Sequence, residues 1–103
     1  MRYYNKLIRD KIPKIMEDVG KKFKTRIATD DEYDIMLKKK LLEECHEYYE
    51  SGEVEELADI LEVIISILNS KGISYNDLES IRLKKMWERG SFTNRIVLEY
   101  TED

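Results

Sequence analysis

Apolar residues recur at helical spacing along four stretches of the chain. The first stretch lies between residues 7 and 19 and places its apolar side chains on one face of a helix. Pro13 is acceptable in a first helical turn, and Gly20 is a typical residue after a helix C-terminus. The pattern therefore predicts a helix that starts between Arg9 and Ile12 and ends at Gly20.

A second apolar stripe, from residue 33 to residue 49, also follows the helical period. Thr29, followed three residues later by Glu32, has the sequence of a capping box, which predicts that this helix begins at Asp30. Ser51-Gly52 predicts its end. The second helix is therefore expected to be long, with one apolar face.

The third stretch, residues 53 to 71, is the most apolar part of the chain and is expected to form the central helix. Gly72 predicts its end. Ser74 with Asp77 predicts the start of a fourth helix over residues 75 to 89. The run from residue 95 to residue 100 is typical of a short extended strand, and residues 23 to 27 are its only plausible partner within the chain.

These elements predict one all-α domain over residues 1 to 103, a four-helix, bundle-like fold with a central antiparallel helix pair. A short C-terminal strand is the one expected addition. No run of 18 apolar residues and no apolar leader are found in the sequence, so neither a membrane span nor a secretory signal is expected. The chain is expected in the cytoplasm.

Charge is distributed unevenly along the chain, whose net charge is −4. Residues 1 to 29 carry nine bases and three acids, whereas residues 43 to 62 carry nine carboxylates and neither lysine nor arginine. A basic arm of this kind can bind nucleic acid, but the overall acidity argues against an extended phosphate track. The pattern favours a compact polyanion held partly by a metal ion and partly by basic side chains.

Four acids are arranged symmetrically about the predicted turn at Ser51-Gly52. Residues three apart share a helix face, so each predicted helix offers one carboxylate pair, and an antiparallel hairpin brings the two pairs level. Four clustered carboxylates repel one another unless a cation lies among them, and oxygen ligands suit Mg²⁺ or Mn²⁺. No calcium loop of the EF-hand type is present. The predicted ligands are Glu44, Glu47, Glu56 and Asp59.

The same stretch predicts the environments of three single residues. Glu56 falls inside the apolar arc of the third helix, where an unpaired carboxylate is costly, so it is expected to need a cation. Cys45, the one cysteine, is expected to be a small core residue. His46 is expected to be solvated or locally bonded, because partners for nucleophilic catalysis are missing.

The acidic stretch also resembles a known signature. Glu43-Glu44-Cys45-His46-Glu47 followed by Glu56-Leu57-Ala58-Asp59 is similar to the E-E-x-x-E and E-x-x-D motifs of the all-α nucleoside triphosphate pyrophosphohydrolases, the MazG and phosphoribosyl-ATP pyrophosphohydrolase superfamily. Two further segments, residues 4 to 13 and residues 85 to 92, resemble a compact subgroup labelled phosphoribosyl-ATP pyrophosphohydrolase-like. The resemblance covers nearly the whole chain.

The resemblance implies a Mg²⁺-dependent enzyme that hydrolyses the α–β phosphoanhydride of a nucleotide to a monophosphate and pyrophosphate. It implies that Glu44, Glu47, Glu56 and Asp59 coordinate the metal, and that Glu43 supports the ligands or orients a water molecule. The short interval between the two motifs leaves little room for a loop that recognises the base. Candidate phosphate-binding residues are Lys6, Arg9, Lys11, Lys85, Arg89 and Arg95.

Two alternatives to a house-cleaning nucleotide hydrolase stay open from the sequence. One is phosphoribosyl-ATP hydrolysis in histidine biosynthesis, and the other is a non-catalytic helical interaction module. Apolar surface left over on the third helix predicts a homodimer or homotetramer, with the site near a subunit boundary. The expected partner is a nucleotide, with neither a membrane nor a nucleic acid.

Overall fold

The structure, a computed structural model, describes residues 1 to 102 and contains four helices. They are α1 (Ile12–Asp18), α2 (Asp30–Ser51), α3 (Val54–Lys71) and α4 (Tyr75–Arg89). The described part of the chain contains no β-strand, so the prediction of an all-α, four-helix fold is confirmed. None of the helices in this part combines the length and the apolarity needed to cross a membrane.

The residues predicted from the sequence as helix caps form both ends of α2. The Thr29 hydroxyl accepts a hydrogen bond from the Glu32 backbone N–H, and the Glu32 carboxylate accepts one from the Thr29 N–H, each at 3.3 Å. Gly52 follows the helix in the left-handed conformation, and its N–H donates to the Tyr48 carbonyl. These contacts satisfy backbone groups that a helix end otherwise leaves unpaired, and they confirm the predicted bounds of α2.

Helices α2 and α3 pack along each other, and no other pair of helices does so within residues 1 to 102. The two-residue connection between Ser51 and Val54 turns α3 back along α2. The apolar core is correspondingly small and consists of Leu37 from α2 with Val63 and Leu68 from α3. The predicted central helix pair is therefore the main packing unit of the chain.

The predicted C-terminal strand is wrong for the described residues. Residues 95 to 102 carry no strand, and residues 23 to 27 do not pair with them. A strand exists only where a neighbouring strand accepts and donates its ladder hydrogen bonds. The β-prone residues of this segment find no such neighbour within residues 1 to 102.

Candidate metal centre

Three carboxylates from the α2–α3 pair converge. Glu44 extends from α2, and Glu56 and Asp59 extend from α3, each offering an oxygen atom that lies within 4.8 Å of the others. The hairpin between the helices creates this convergence, because it places the second half of α2 beside the first turns of α3. We refer to Glu44, Glu56 and Asp59 as the inter-helix acid cluster.

A second acidic group lies along α2 alone. Glu43, Glu44 and Glu47 offer oxygen atoms within the same mutual distance, 4.8 Å. Glu44 therefore belongs to both groups, whereas Glu47 joins Glu43 rather than the two acids of α3. The structure thus brings together three of the four predicted ligands and places the fourth one helical turn from Glu44.

Glu44 is the buried member of the cluster, with 7 % of its surface exposed. Its Oε2 atom is buried and has no hydrogen-bond partner within the described residues. Burial raises the pKa of Glu44, the neighbouring Glu47 and Asp59 charges raise it further, and Lys40 acts in the opposite direction. The sequence had assigned the deeply buried position to Glu56, which is only half-buried. The helical wheel predicted the wrong environment for Glu56 because α3 packs against α2 on one side only.

The N-terminal arm reaches both acidic groups. The Lys6 Nζ atom lies 2.9 Å from Glu43 Oε1, and the Arg9 Nη2 atom lies 2.6 Å from Asp59 Oδ1. The hydrogen bond to Glu43 raises the pKa of Lys6, against a smaller opposing effect of burial. The arm therefore does not extend freely into solvent at these residues, and it places two cationic side chains beside the acids.

Lys40 also lies in this region, although it is not among the site residues predicted from the sequence. Its largely buried ammonium group lies 3.2 Å from Glu43 Oε2 and 3.5 Å from Glu44 Oε1. Burial favours the neutral form of Glu43, but hydrogen bonds from Lys6 and Lys40 outweigh it and lower the pKa of Glu43. The signal was present in the sequence, since Lys40 precedes the two acids by three and four residues, the spacing at which helical side chains meet.

The other predicted phosphate-binding residues lie elsewhere. Lys11 directly precedes α1, Lys85 and Arg89 are on α4, and Arg95 follows α4 with a positive φ of 58°. Within residues 1 to 102, none of these four forms an ion pair with an acid of the two groups. The structure therefore brings Lys6 and Arg9 to the acids, whereas the remaining four form no ion pair with them among the described residues.

Cys45 and His46 do not take part in either group. The prediction that Cys45 is a core residue is wrong, because its side chain is exposed. Its position on the outer face of α2 follows from the adjacent Glu44, which faces inward. His46 is exposed, with its Nε2 atom 3.7 Å from Glu50 Oε1, as expected for a solvated, locally bonded histidine.

The inter-helix acid cluster fits a hard divalent cation. All of its donor atoms are carboxylate oxygens, the type that Mg²⁺ and Mn²⁺ prefer. In an octahedral Mg²⁺ site with bonds of about 2.1 Å, adjacent oxygens are about 3.0 Å apart and opposite ones about 4.2 Å, and the oxygens of the cluster lie within 4.8 Å of one another. The buried Oε2 atom of Glu44 offers a lone pair for which residues 1 to 102 supply no donor.

Comparison with known proteins adds no relative to this description. No protein-family model matches the chain, and neither a curated protein nor a solved structure does so. The geometry of the acidic helix pair and the motifs of the sequence are therefore the basis on which a function is proposed.

Proposed function

We propose that this chain is a Mg²⁺-dependent nucleotide pyrophosphohydrolase, in which Mn²⁺ can replace Mg²⁺. It cleaves the α–β phosphoanhydride of a nucleoside triphosphate or related nucleotide to a monophosphate and pyrophosphate. The observation that carries the proposal is that carboxylate oxygens of Glu44, Glu56 and Asp59 lie within 4.8 Å of one another, with a buried Glu44 oxygen that has no hydrogen-bond partner among the described residues. The resemblance of the acidic motifs to pyrophosphohydrolases supplies the reaction type.

The proposed ligands are the inter-helix acid cluster and Glu47. Bound Mg²⁺ supplies charge neutralisation at the phosphates and lowers the pKa of a water molecule. Glu43 is held from two sides by Lys6 and Lys40, which fixes its carboxylate where it can orient that water. The reaction needs positioning and charge neutralisation rather than a covalent nucleophile, so the exposed Cys45 takes no part.

The basic side chains of the arm are placed to bind phosphate oxygens. Lys6 and Arg9 already lie against Glu43 and Asp59, so a polyphosphate bound beside these acids meets both cations. Ammonium and guanidinium groups form charge-assisted hydrogen bonds to phosphate. The other bases proposed for the same role are Lys11, Lys85, Arg89 and Arg95.

The cavity beside the acids offers little enclosed space for a nucleotide, whereas a second cavity of about 430 Å³, lined by residues 89 to 97, lies at the C-terminal end of α4. The cavity between the arm and α2, lined by Lys6, Leu7, Met36 and Lys40 among others, has a volume of about 60 Å³. Ligand pockets commonly measure about 300 Å³ or more. We therefore propose that the nucleotide site is completed between copies in a homodimer or homotetramer, and that the protein acts in the cytoplasm, where nucleotides are abundant.

A pyrophosphate-release screen tests the proposal. The purified chain is incubated with ordinary and modified nucleoside triphosphates and with phosphoribosyl-ATP, with Mg²⁺ or with EDTA. We expect Mg²⁺-dependent release from at least one nucleotide, and the kcat/KM ratios identify the substrate class. Absence of release from every nucleotide, together with no calorimetric binding of Mg²⁺ or of a non-hydrolysable nucleotide, would overturn the proposal in favour of a helical interaction module.

A further inference from the structure

Large apolar side chains are exposed one after another at the C-terminal end of the chain. We define the C-terminal segment as residues 91 to 102, which follow α4. Phe92 is 95 % exposed and Leu98 is 77 % exposed, and Trp87 in the last turns of α4 is 84 % exposed. Single exposed apolar residues are common on proteins, but a contiguous apolar patch usually marks a binding surface.

The backbone of the C-terminal segment is also unpaired. Its one backbone hydrogen bond among the described residues joins the Arg95 N–H to the Phe92 carbonyl at 3.2 Å. The peptide groups from residue 96 to residue 102 therefore offer free donors and acceptors next to apolar side chains. An extended segment of this type is suited to lie on an apolar surface or to pair with another strand.

The surface area of the whole chain indicates how much of it a partner covers. One copy exposes 9866 Å², whereas a compact protein of this mass exposes about 6,100 Å². The radius of gyration is 18.2 Å, against about 13 Å for a compact chain of this length. The excess of about 3,800 Å² is larger than the roughly 1,000 to 2,500 Å² that each partner buries in many obligate homodimers.

The chain itself provides a surface that matches this segment. Leu57 and Leu61 of α3 are 44 % and 43 % exposed, and Ile81 of α4 is 56 % exposed. A chain that exposes both an apolar segment and apolar helix faces can bury both in a two-fold symmetric dimer, because each copy places its segment on the helix faces of the other. The described residues of one copy bury only three apolar side chains. A core this small is stabilised by the additional apolar side chains that such an exchange buries.

We propose that the C-terminal segment, together with Trp87, docks onto the α3 and α4 faces of a second copy of this chain. The docked segment buries Phe92, Ile96 and Leu98 and enlarges the small core that α2 and α3 form. The proposal concerns assembly and rests on exposed apolar surface, so absence of hydrolase activity would leave it standing, whereas a monomeric chain would also remove the proposed completion of the nucleotide site between copies.

Light scattering coupled to size exclusion tests the assembly on the full chain. We expect a mass at least twice the chain mass of 12.3 kDa at micromolar concentration. Leu98→Glu, which forces a charge into the apolar interface, should raise the dissociation constant at least ten-fold. Thr101→Glu adds the same charge to the same segment without removing an apolar side chain, and it should dissociate like the wild-type protein.

A cross-link keeps the test decisive if Leu98→Glu fails to fold. Leu98→p-benzoylphenylalanine is introduced into one of two differently tagged copies, the copies are mixed and irradiated, and the products are mapped by mass spectrometry. We expect cross-links between copies, on α3 or α4. A monomer by light scattering with intact helical circular dichroism, or an oligomer whose cross-links stay within one copy, would overturn the proposal.

Discussion

The guanidinium group of Arg9 lies 2.6 Å from the carboxylate of Asp59, although fifty residues separate them in the chain. The contact joins the basic arm to the inter-helix acid cluster, where a divalent cation is proposed to bind. Arg9 therefore neutralises one of the acids that the cation also needs. This relationship connects the two halves of the charge distribution and makes the arm part of the proposed site.

Removal of Arg9 should separate metal binding from substrate binding. In Arg9→Ala, Asp59 loses its competing cation, so Mn²⁺ should bind up to about five-fold more tightly, the range expected for an exposed ion pair. The kcat/KM for the nucleotide should fall, because the phosphates lose a charged donor. Electron paramagnetic resonance of Mn²⁺ and steady-state pyrophosphate release measure the two effects.

Arg2→Ala serves as the control for this variant. Arg2 lies in the same arm but farther from the acids in the sequence than Arg9. Its guanidinium carbon lies over the Tyr4 ring, 5.3 Å from the ring centroid. The Arg2→Ala variant loses the same charge as Arg9→Ala and should change neither the Mn²⁺ affinity nor kcat/KM appreciably. Weaker Mn²⁺ binding in Arg9→Ala would show that Arg9 supports the acid cluster rather than competing for it.

The raised pKa of Glu44 predicts a pH-dependent stability difference. Burial and the charges of Glu47 and Asp59 favour its protonated form in the folded protein, so the stability that this form contributes is lost as pH rises through the folded pKa. Glu44→Gln imitates the protonated form at every pH. Relief of a like-charge pair is worth about 0.2–0.5 kcal/mol, so its Tm should exceed that of the wild type by about 1–4 °C at pH 7 without divalent cations.

At a pH below the ordinary carboxyl pKa the Tm difference should vanish, since Glu44 is then protonated in the wild type as well. Thermal denaturation at fixed protein concentration measures both values, and Glu62→Gln, an exposed acid on α3, should show no such trend. Added Mg²⁺ should raise the Tm of the wild type more than that of Glu44→Gln. A lower Tm for Glu44→Gln at pH 7 would mean that the Lys40 contact outweighs the repulsion.

Glu56→Gln should abolish catalysis while preserving the fold. The change replaces a ligand oxygen of the inter-helix acid cluster by a neutral amide. Even residues that only support metal ligands cost about 10–100-fold in activity when they are altered, so we expect a loss of at least about 100-fold in Mg²⁺-dependent pyrophosphate release. Glu55→Gln removes the adjacent, exposed carboxylate and should keep full turnover. Equal turnover in both variants would remove Glu56 from the site.

Local signals explain why the helices were predictable from the sequence. Thr29 and Glu32 cap α2 through contacts between near neighbours, and such contacts depend on spacing alone. The acid cluster was predicted for the same reason, because the turn at Gly52 fixes how Glu44 meets Asp59. Burial depends instead on what covers each face, and a single sequence contains no direct record of it. The predictions of burial for Glu56 and Cys45 were therefore wrong, and the burial of Glu44 was not predicted.

Gly52→Ala should disturb both the stability and the acid cluster. Gly52 ends α2 with a φ of 67°, a conformation that costs an L-residue about 1–2 kcal/mol. A Cβ atom at this position would meet no atom of the described residues beyond its chain neighbours within 4 Å, so the expected loss of stability comes from the backbone conformation alone. The Tm should fall by about 4–8 °C for each 1 kcal/mol lost. Any change in the turn also shifts Glu44 relative to Asp59, so Mn²⁺ should bind more weakly.

Gly52→Asn provides the matched comparison, because asparagine adopts the left-handed conformation more readily than alanine. It should retain more of the wild-type Tm and of the Mn²⁺ affinity than Gly52→Ala, although its side chain is larger. Circular dichroism melts and Mn²⁺ titrations on the three proteins test this order. If the alanine variant were as stable as the asparagine variant but bound Mn²⁺ less well, the turn would control the acid geometry without limiting the stability of the helix pair.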